Sequence, residues 1–269
     1  MNDKPALHFS HANSFPAGTY RKFLSHFAPH YDIGYIETLG HDPRYPVTDC
    51  WPHLVEQTVD FIEQRYQGPV LAVGHSLGGF LSFMAALQRP ELFRAVVLLD
   101  SPIFGRPVST ALWLGKRFGF IERMTPGQGS LRRRRHWPSI EAATAHFQAK
   151  HTFASFDPEC LNDYVTTGTV PCEEGVRLKF EPEVEYRIYC GLPHFFPRLR
   201  GRLKVPTGFI GGRSSEYVRR SDIVHMRRDF GIELMRIDGG HLFPFERPQA
   251  TAEAVYTMLG RLGVKGADI

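Results

Sequence analysis

Short apolar runs near residues 6–10, 31–37, 69–74, 94–100, 205–211 and 232–237 predict buried strands. Between them, apolar positions recur at spacings of three and four, which predicts helices near 17–28, 50–66, 77–88, 217–229 and 247–261. Strands alternating with helices give a parallel sheet covered on both faces, and ligands then bind at the carboxyl ends of the strands. The alternation stops between Ser101 and Leu203. There Trp113, Phe118, Phe120, Trp137, Phe147, Phe153, Phe156, Tyr164, Phe195 and Phe196 are spread through mostly helical patterns broken by Pro126, Pro138, Pro158, Pro171 and Pro193. Most of these rings are expected to form a small core of their own, the remainder facing a ligand.

Composition narrows the picture. With 269 residues, 42% hydrophobic and 22% charged, the chain can bury one large core. No apolar run approaches the ~20 residues that a membrane-spanning helix requires. The opening residues, Met1 to Pro5, hold no apolar signal core, so a cytoplasmic protein is expected. Cys50, Cys160, Cys172 and Cys190 form neither a C-x-x-C pair nor a dense framework and read as reduced thiols. The thirteen histidines are scattered, with no H-E-x-x-H and no Cys/His cluster, so neither metal nor cofactor is expected. Arg132 to Arg135 is the one strong charge feature. Against a net charge of +4 it reads as a local solvated or salt-bridged patch, and nothing else points to nucleic acid.

The chemistry concentrates in Val70-Leu71-Ala72-Val73-Gly74-His75-Ser76-Leu77-Gly78-Gly79, an apolar strand, a serine flanked by glycines, then a helix. This G-x-S-x-G string is a nucleophile elbow. A turn that sharp needs small residues two before and two after the serine, and it pushes Ser76 Oγ out at the strand's carboxyl end. The Leu77 amide, in the first helical turn, faces the place where an oxyanion would form. Toward the C-terminus, Ile237-Asp238-Gly239-Gly240-His241 is a strand end, a glycine turn and a histidine. At the other end, Leu7 to Ser10 runs into His11-Ala12-Asn13-Ser14-Phe15-Pro16, a loop able to supply a second oxyanion amide.

With these three segments the chain resembles the α/β-hydrolase superfamily, in its serine esterase and lipase-like branch, from about residue 6 to residue 262. The G-G-H turn matches the family's histidine at His241. The loop after Ser10 is a longer variant of the family's H-G-x-P, which points to Asn13 or Ala12 as the second oxyanion amide. The resemblance implies a mostly parallel sheet with helices on both faces, about two strands shorter than usual at its start. It implies residues 1–100 as the first part of the hydrolase core, 101–203 as an inserted cap over the active site, and 204–269 as the second part of the core.

The triad acid is where the sequence departs from the common pattern. The family places it in P-T-x-x-x-x-G-x-x-D, but Pro206-Thr207-Gly208-Phe209-Ile210-Gly211-Gly212-Arg213-Ser214-Ser215 ends on serine. A minority of members carry the acid after the strand that follows the nucleophile helix, and Asp100 stands there with the matching separation from Ser76. Asp100 is therefore the favoured acid, with Glu216 and Asp222 as alternatives. His75 reads as a packing or hydrogen-bonding residue, and Asp238 as a turn residue.

Ser76, His241 and Asp100 imply acyl transfer, most simply hydrolysis of a carboxylic ester of a small or medium, partly apolar substrate. Thioesterase, acyltransferase, amidase or C–C bond hydrolase chemistry would use the same residues. Cofactor-free perhydrolysis, or a binding or receptor module on the same fold, are further readings. The natural substrate and the oligomeric state stay open.

Overall fold

The computed structural model describes residues 4–264; of the N-terminal stretch read above as lacking a leader, Met1 to Asp3 lie outside them. The first part of the chain alternates as expected: β1 (Ala6–Ser10), α1 (Arg21–Ser25), β2 (Asp32–Tyr35), α2 (Pro52–Arg65), β3 (Val70–His75), α3 (Leu77–Gln88) and β4 (Phe93–Leu99). The middle holds α4 (Arg106–Arg117), α5 (Ile121–Met124), α6 (Gly127–Leu131), β5 (His136–Trp137), α7 (Ile140–Gln148), α8 (Pro158–Gly168), β6 (Thr169–Cys172), β7 (Gly175–Leu178) and α9 (Pro182–Cys190). The alternation then resumes with β8 (Thr207–Gly212), α10 (Arg220–Phe230), β9 (Glu233–Ile237), α11 (Phe243–Glu246) and α12 (Pro248–Arg261).

The six-stranded sheet runs β2-β1-β3-β4-β8-β9 with every pairing parallel. Because alternate side chains of a strand face opposite ways, the central strands are apolar throughout. Leu71, Val73, Ala95, Val97 and Leu99 enter one core, whereas Val70, Ala72, Val96 and Leu98 enter the other. Strand order reverses between β1 and β3, a topological switch point where a ligand crevice opens. Ser10 and Gly74 are register partners there, so the loop after β1 and the elbow after β3 leave the sheet side by side.

Local chemistry adjusts several expected boundaries. The helix expected from residue 17 opens as a 3-10 turn over Ala17–Tyr20 before α1. The helix expected from residue 217 starts at Arg220, because Tyr217 N–H donates to the Ser215 hydroxyl at 3.3 Å and keeps that stretch in a turn. The segment expected to be mostly helical also carries a small antiparallel sheet, β5-β7-β6, built on a hairpin at Gly175. Gly175 has φ +122°, and a Cβ there would lie 2.3 Å from the Trp137 carbonyl, so the third strand fits only against glycine. Strands this short have too few positions to show a period of two.

The middle segment has no separate core. Trp137, Phe147, Phe153, Phe156 and Tyr164 join the core beneath α12, and Phe180, Val184, Ile188 and Phe196 join the one beneath α2 and α3. Trp113, Phe118 and Phe120 are exposed. All four cysteines are free thiols. Among the described residues no helix is long and apolar enough to cross a membrane.

Candidate active site

Ser76 sits between β3 and α3 with φ +50° and ψ −115°, a conformation that residues with side chains seldom adopt. Two bonds hold it there: its N–H donates to the Leu99 carbonyl at 2.9 Å, and the Ser101 hydroxyl donates to its carbonyl at 2.8 Å. The flanking glycines are required by close backbone approach. A Cβ on Gly74 would lie 2.4 Å from the Gly78 carbonyl oxygen, and one on Gly78 only 2.0 Å from that of Ser10.

The structure brings His241 and Asp100 to this serine. His241 Nε2 lies 3.1 Å from Ser76 Oγ, and His241 Nδ1 lies 2.6 Å from Asp100 Oδ2. Asp100 is itself strained, with φ +47°, and fully buried. Its carboxylate is cradled by the Gly212 N–H at 2.8 Å on Oδ1 and by the Ser215 hydroxyl on Oδ2, besides His241. Such charge-assisted bonds let an ionised carboxylate stay buried beside an imidazole. Ser215, which occupies the position where the common pattern has its acid, thus donates to the carboxylate at the alternative one. The glycine turn before His241 packs on Gly212, where a Cβ would lie 2.3 Å from the Gly240 carbonyl oxygen, and Glu246 accepts the Gly240 N–H at 2.9 Å.

Among the described residues no other carboxylate is hydrogen-bonded to His241. Glu216 is exposed, and Asp238 pairs with Arg213 at the surface. Asp222 is buried; its Oδ1 accepts the Gly105 N–H at 3.0 Å, and burial pushes its carboxyl above the ordinary value.

Of the two amides expected in the loop after β1, Ala12 is already engaged, donating to the Tyr20 hydroxyl at 3.1 Å. The Asn13 and Leu77 N–H groups have no hydrogen-bond partner among the described residues, and the strand ends that precede them, Ser10 and Gly74, are neighbours. The loop is held on several sides. His11 donates through Nδ1 to the Ala12 carbonyl and accepts the Leu39 N–H on Nε2, both at 2.8 Å, and burial pushes its pKa down to about 4. Asn13 Nδ2 donates to the Glu185 carbonyl at 3.1 Å.

The arginine run is more than a surface patch. Arg135 pairs with Glu183 and Arg134 lies over the Trp137 ring, as expected of a cap surface, but Arg133 turns inward. Its guanidinium donates to the Glu185 carboxylate, to Ser14 Oγ and, at 2.8 Å, to the Tyr164 hydroxyl, clasping the middle segment to the loop after β1. With side chains only 18% and 8% exposed, Arg133 and Glu185 form a buried pair. Arg133→Ala strands the Glu185 charge and is expected to cost about 3–5 kcal/mol. Urea unfolding at neutral pH checks this, and a loss below about 1 kcal/mol, as for exposed pairs, would contradict the clasp.

A cavity of about 290 Å³ opens onto Ser76, Asp100 and His241. Its walls are Phe80, Pro102, Phe104, Val108, Ala111, Leu112, Met124, Thr125, Pro126, Tyr189, Leu192 and Tyr217, with Glu216, Arg219 and Asp222 contributing polar groups. None of the ten rings singled out in the sequence lines it. Most of those rings are committed to the two cores; the rings at the cavity are Phe80, Phe104, Tyr189 and Tyr217, beside aliphatic side chains of α4. Among the described residues, side chains of metal-ligand type converge at Asp49, Cys50 and His194, away from this cavity. The Lys116 ammonium occupies that cluster, donating to Asp49 and to the Leu192 carbonyl at 2.6 Å and lying 3.4 Å from His194 Nδ1.

Known proteins share this architecture. The E-2-(acetamidomethylene)succinate hydrolase structure superposes with a TM-score of 0.76 at 19% identity, covering 96% of this chain and 92% of that one. In sequence, the sn-1-specific diacylglycerol lipase ABHD11 of Mus musculus is 26% identical over 226 residues, 77% of this chain and 67% of that protein. Lipase LipV of Mycobacterium tuberculosis is 34% identical over 82 residues, a match that spans 30% of this chain and only 31% of the lipase. The family profile described as "Alpha/beta hydrolase family" matches residues 9–254. With the sheet, the elbow and a match over nearly its whole length, the chain belongs to the alpha/beta hydrolase family.

Proposed function

We propose that the protein is a serine hydrolase that cleaves a carboxylic ester of a small or medium, partly apolar substrate through an acyl-enzyme on Ser76. The observation that carries this reading is the hydrogen-bonded line Asp100–His241–Ser76 at the wall of the cavity. Ser76 Oγ attacks the acyl carbonyl as its proton passes to His241 Nε2, and the amides of Leu77 and Asn13 stabilise the oxyanion. His241 then protonates the leaving alkoxide. A water activated by the same ring attacks the acyl-enzyme and releases the acid. Throughout, Asp100 accepts the Nδ1 proton, fixing the tautomer that leaves Nε2 free to act as base. A binding module has no use for that arrangement, so the cradled Asp100 favours the enzyme.

Substrate size follows from the walls. The cavity volume of about 290 Å³ sits at the lower end of the ~300–1,000 Å³ typical of ligand pockets. Residues 101–203 act as a cap in this reading, supplying the α4 side and the Tyr189 side of the chamber. The lipases among the relatives agree with an ester bond, and four free thiols suit a reducing cytoplasm. On a panel of p-nitrophenyl esters, activity is expected to peak on short to medium chains without a jump at the critical micelle concentration. Preference for emulsified long-chain triglyceride, or for acyl-CoA thioesters over oxygen esters, would overturn the substrate class.

A further inference from the structure

A buried polar network outside the triad touches both the base and the oxyanion loop. Ala12 N–H meets the Tyr20 hydroxyl at 3.1 Å, that hydroxyl meets His75 Nδ1 at 2.7 Å, and His75 Nε2 meets the His241 carbonyl at 2.9 Å. Tyr20 and His75 are fully buried. An amide can only donate and a carbonyl can only accept, and a neutral imidazole offers one donor and one acceptor. The directions are therefore fixed: Ala12 N–H donates to Tyr20, Tyr20 O–H donates to Nδ1, and Nε2–H donates to the carbonyl. Burial, with His241 as a second cause, pushes His75 well below its ordinary pKa, which keeps the ring neutral as this order requires.

We infer that His75 is a positioning residue for the hydrolysis proposed above, holding through this chain of hydrogen bonds both the His241 backbone and the loop that presents the Asn13 amide. His75 is peptide-bonded to Ser76, so its anchors are measured from the nucleophile itself. One end fixes the main chain from which the base projects. The other fixes Ala12, and with it the amide one residue on. Loosening either end by about 1 Å is enough to cost on the order of 10²-fold in rate, because the reacting groups must meet in near-attack geometry. Neither Tyr20 nor His75 lines the cavity, so substrate affinity should not depend on them.

The inference rests on the proposed hydrolysis for its kinetic arm only. On p-nitrophenyl butyrate, Tyr20→Phe and His75→Leu are expected to lower kcat by roughly 10- to 100-fold with KM nearly unchanged. Labelling of Ser76 by a fluorophosphonate probe should slow in parallel. His75→Gln, which restores an N–H toward the His241 carbonyl, should recover most of the loss. A merely structural role would lower Tm without splitting kcat from KM, and would leave the glutamine variant as impaired as the leucine one. That result, or wild-type kcat in folded Tyr20→Phe, overturns the inference. Histidine ring ¹⁵N spectra of the resting wild-type protein supply an arm that needs neither turnover nor a variant that folds poorly. With His75 assigned by comparison with His75→Gln, the ring should be the neutral Nε2–H tautomer; an Nδ1–H or doubly protonated ring would refute the chain whatever the substrate.

Discussion

Ser76→Ala is expected to lower kcat by about 10⁶-fold, the order seen when a triad serine is removed, while leaving KM and thermal stability close to wild type. The Ser76 side chain has one hydrogen bond among the described residues, to His241 Nε2, so its loss exposes no new buried polar group in the core. The elbow itself is held by backbone bonds and by Ser101, which the substitution does not touch. His241→Ala should cost a similar amount. In the proposed mechanism serine and histidine act as one unit, so the double variant should be no slower than either single one. Steady-state kinetics on a short ester checks this, and additive losses would mean that the two residues act independently.

Asp100→Asn is expected to lower kcat by about 10⁴-fold. The isosteric amide can still accept the Gly212 N–H on its oxygen, and this places its NH₂ toward His241 Nδ1. Nδ1 must then accept, which moves the ring proton to Nε2, where it blocks uptake of the Ser76 proton. Glu216→Gln should change kcat far less than Asp100→Asn, because Glu216 sits exposed at the cavity edge and makes no hydrogen bond to His241 among the described residues. The reverse ranking in a kcat comparison would return the acid's role to Glu216. Asp222→Asn offers a third comparison, since its carboxyl is tied to Gly105 and faces the cavity without reaching His241.

The elements and the serine elbow were legible because their signals are local. Strand and helix periods in the sheet region follow from burial on both faces, and Gly74 and Gly78 mark the one place where β1, β3 and α3 touch backbone to backbone. Asp100 was reachable by a longer route, through the vacancy at Ser215, although nothing in the sequence said that Ser215 would donate to it. What escaped were contacts between distant positions. Arg133 looked like surface charge because its neighbours Arg132, Arg134 and Arg135 are charged, and its buried partners Ser14, Tyr164 and Glu185 lie far away in the chain. The engagement of Ala12 depended likewise on Tyr20 reaching back across the loop. The cavity walls were missed for a different reason. Rings do line part of the cavity, but they are Phe80, Phe104, Tyr189 and Tyr217; most of the ten singled out pack in the two cores, where large rings bury most apolar area, and α4 adds aliphatic side chains.

Trapping the acyl-enzyme tests the central claim most directly. Protein mixed with p-nitrophenyl butyrate and quenched in acid within milliseconds should gain the mass of one butyryl group, mapped by peptide analysis to Ser76 and lost in Ser76→Ala. Turnover of the ester with no acyl adduct, or an adduct on another residue that survives Ser76→Ala, would contradict the account.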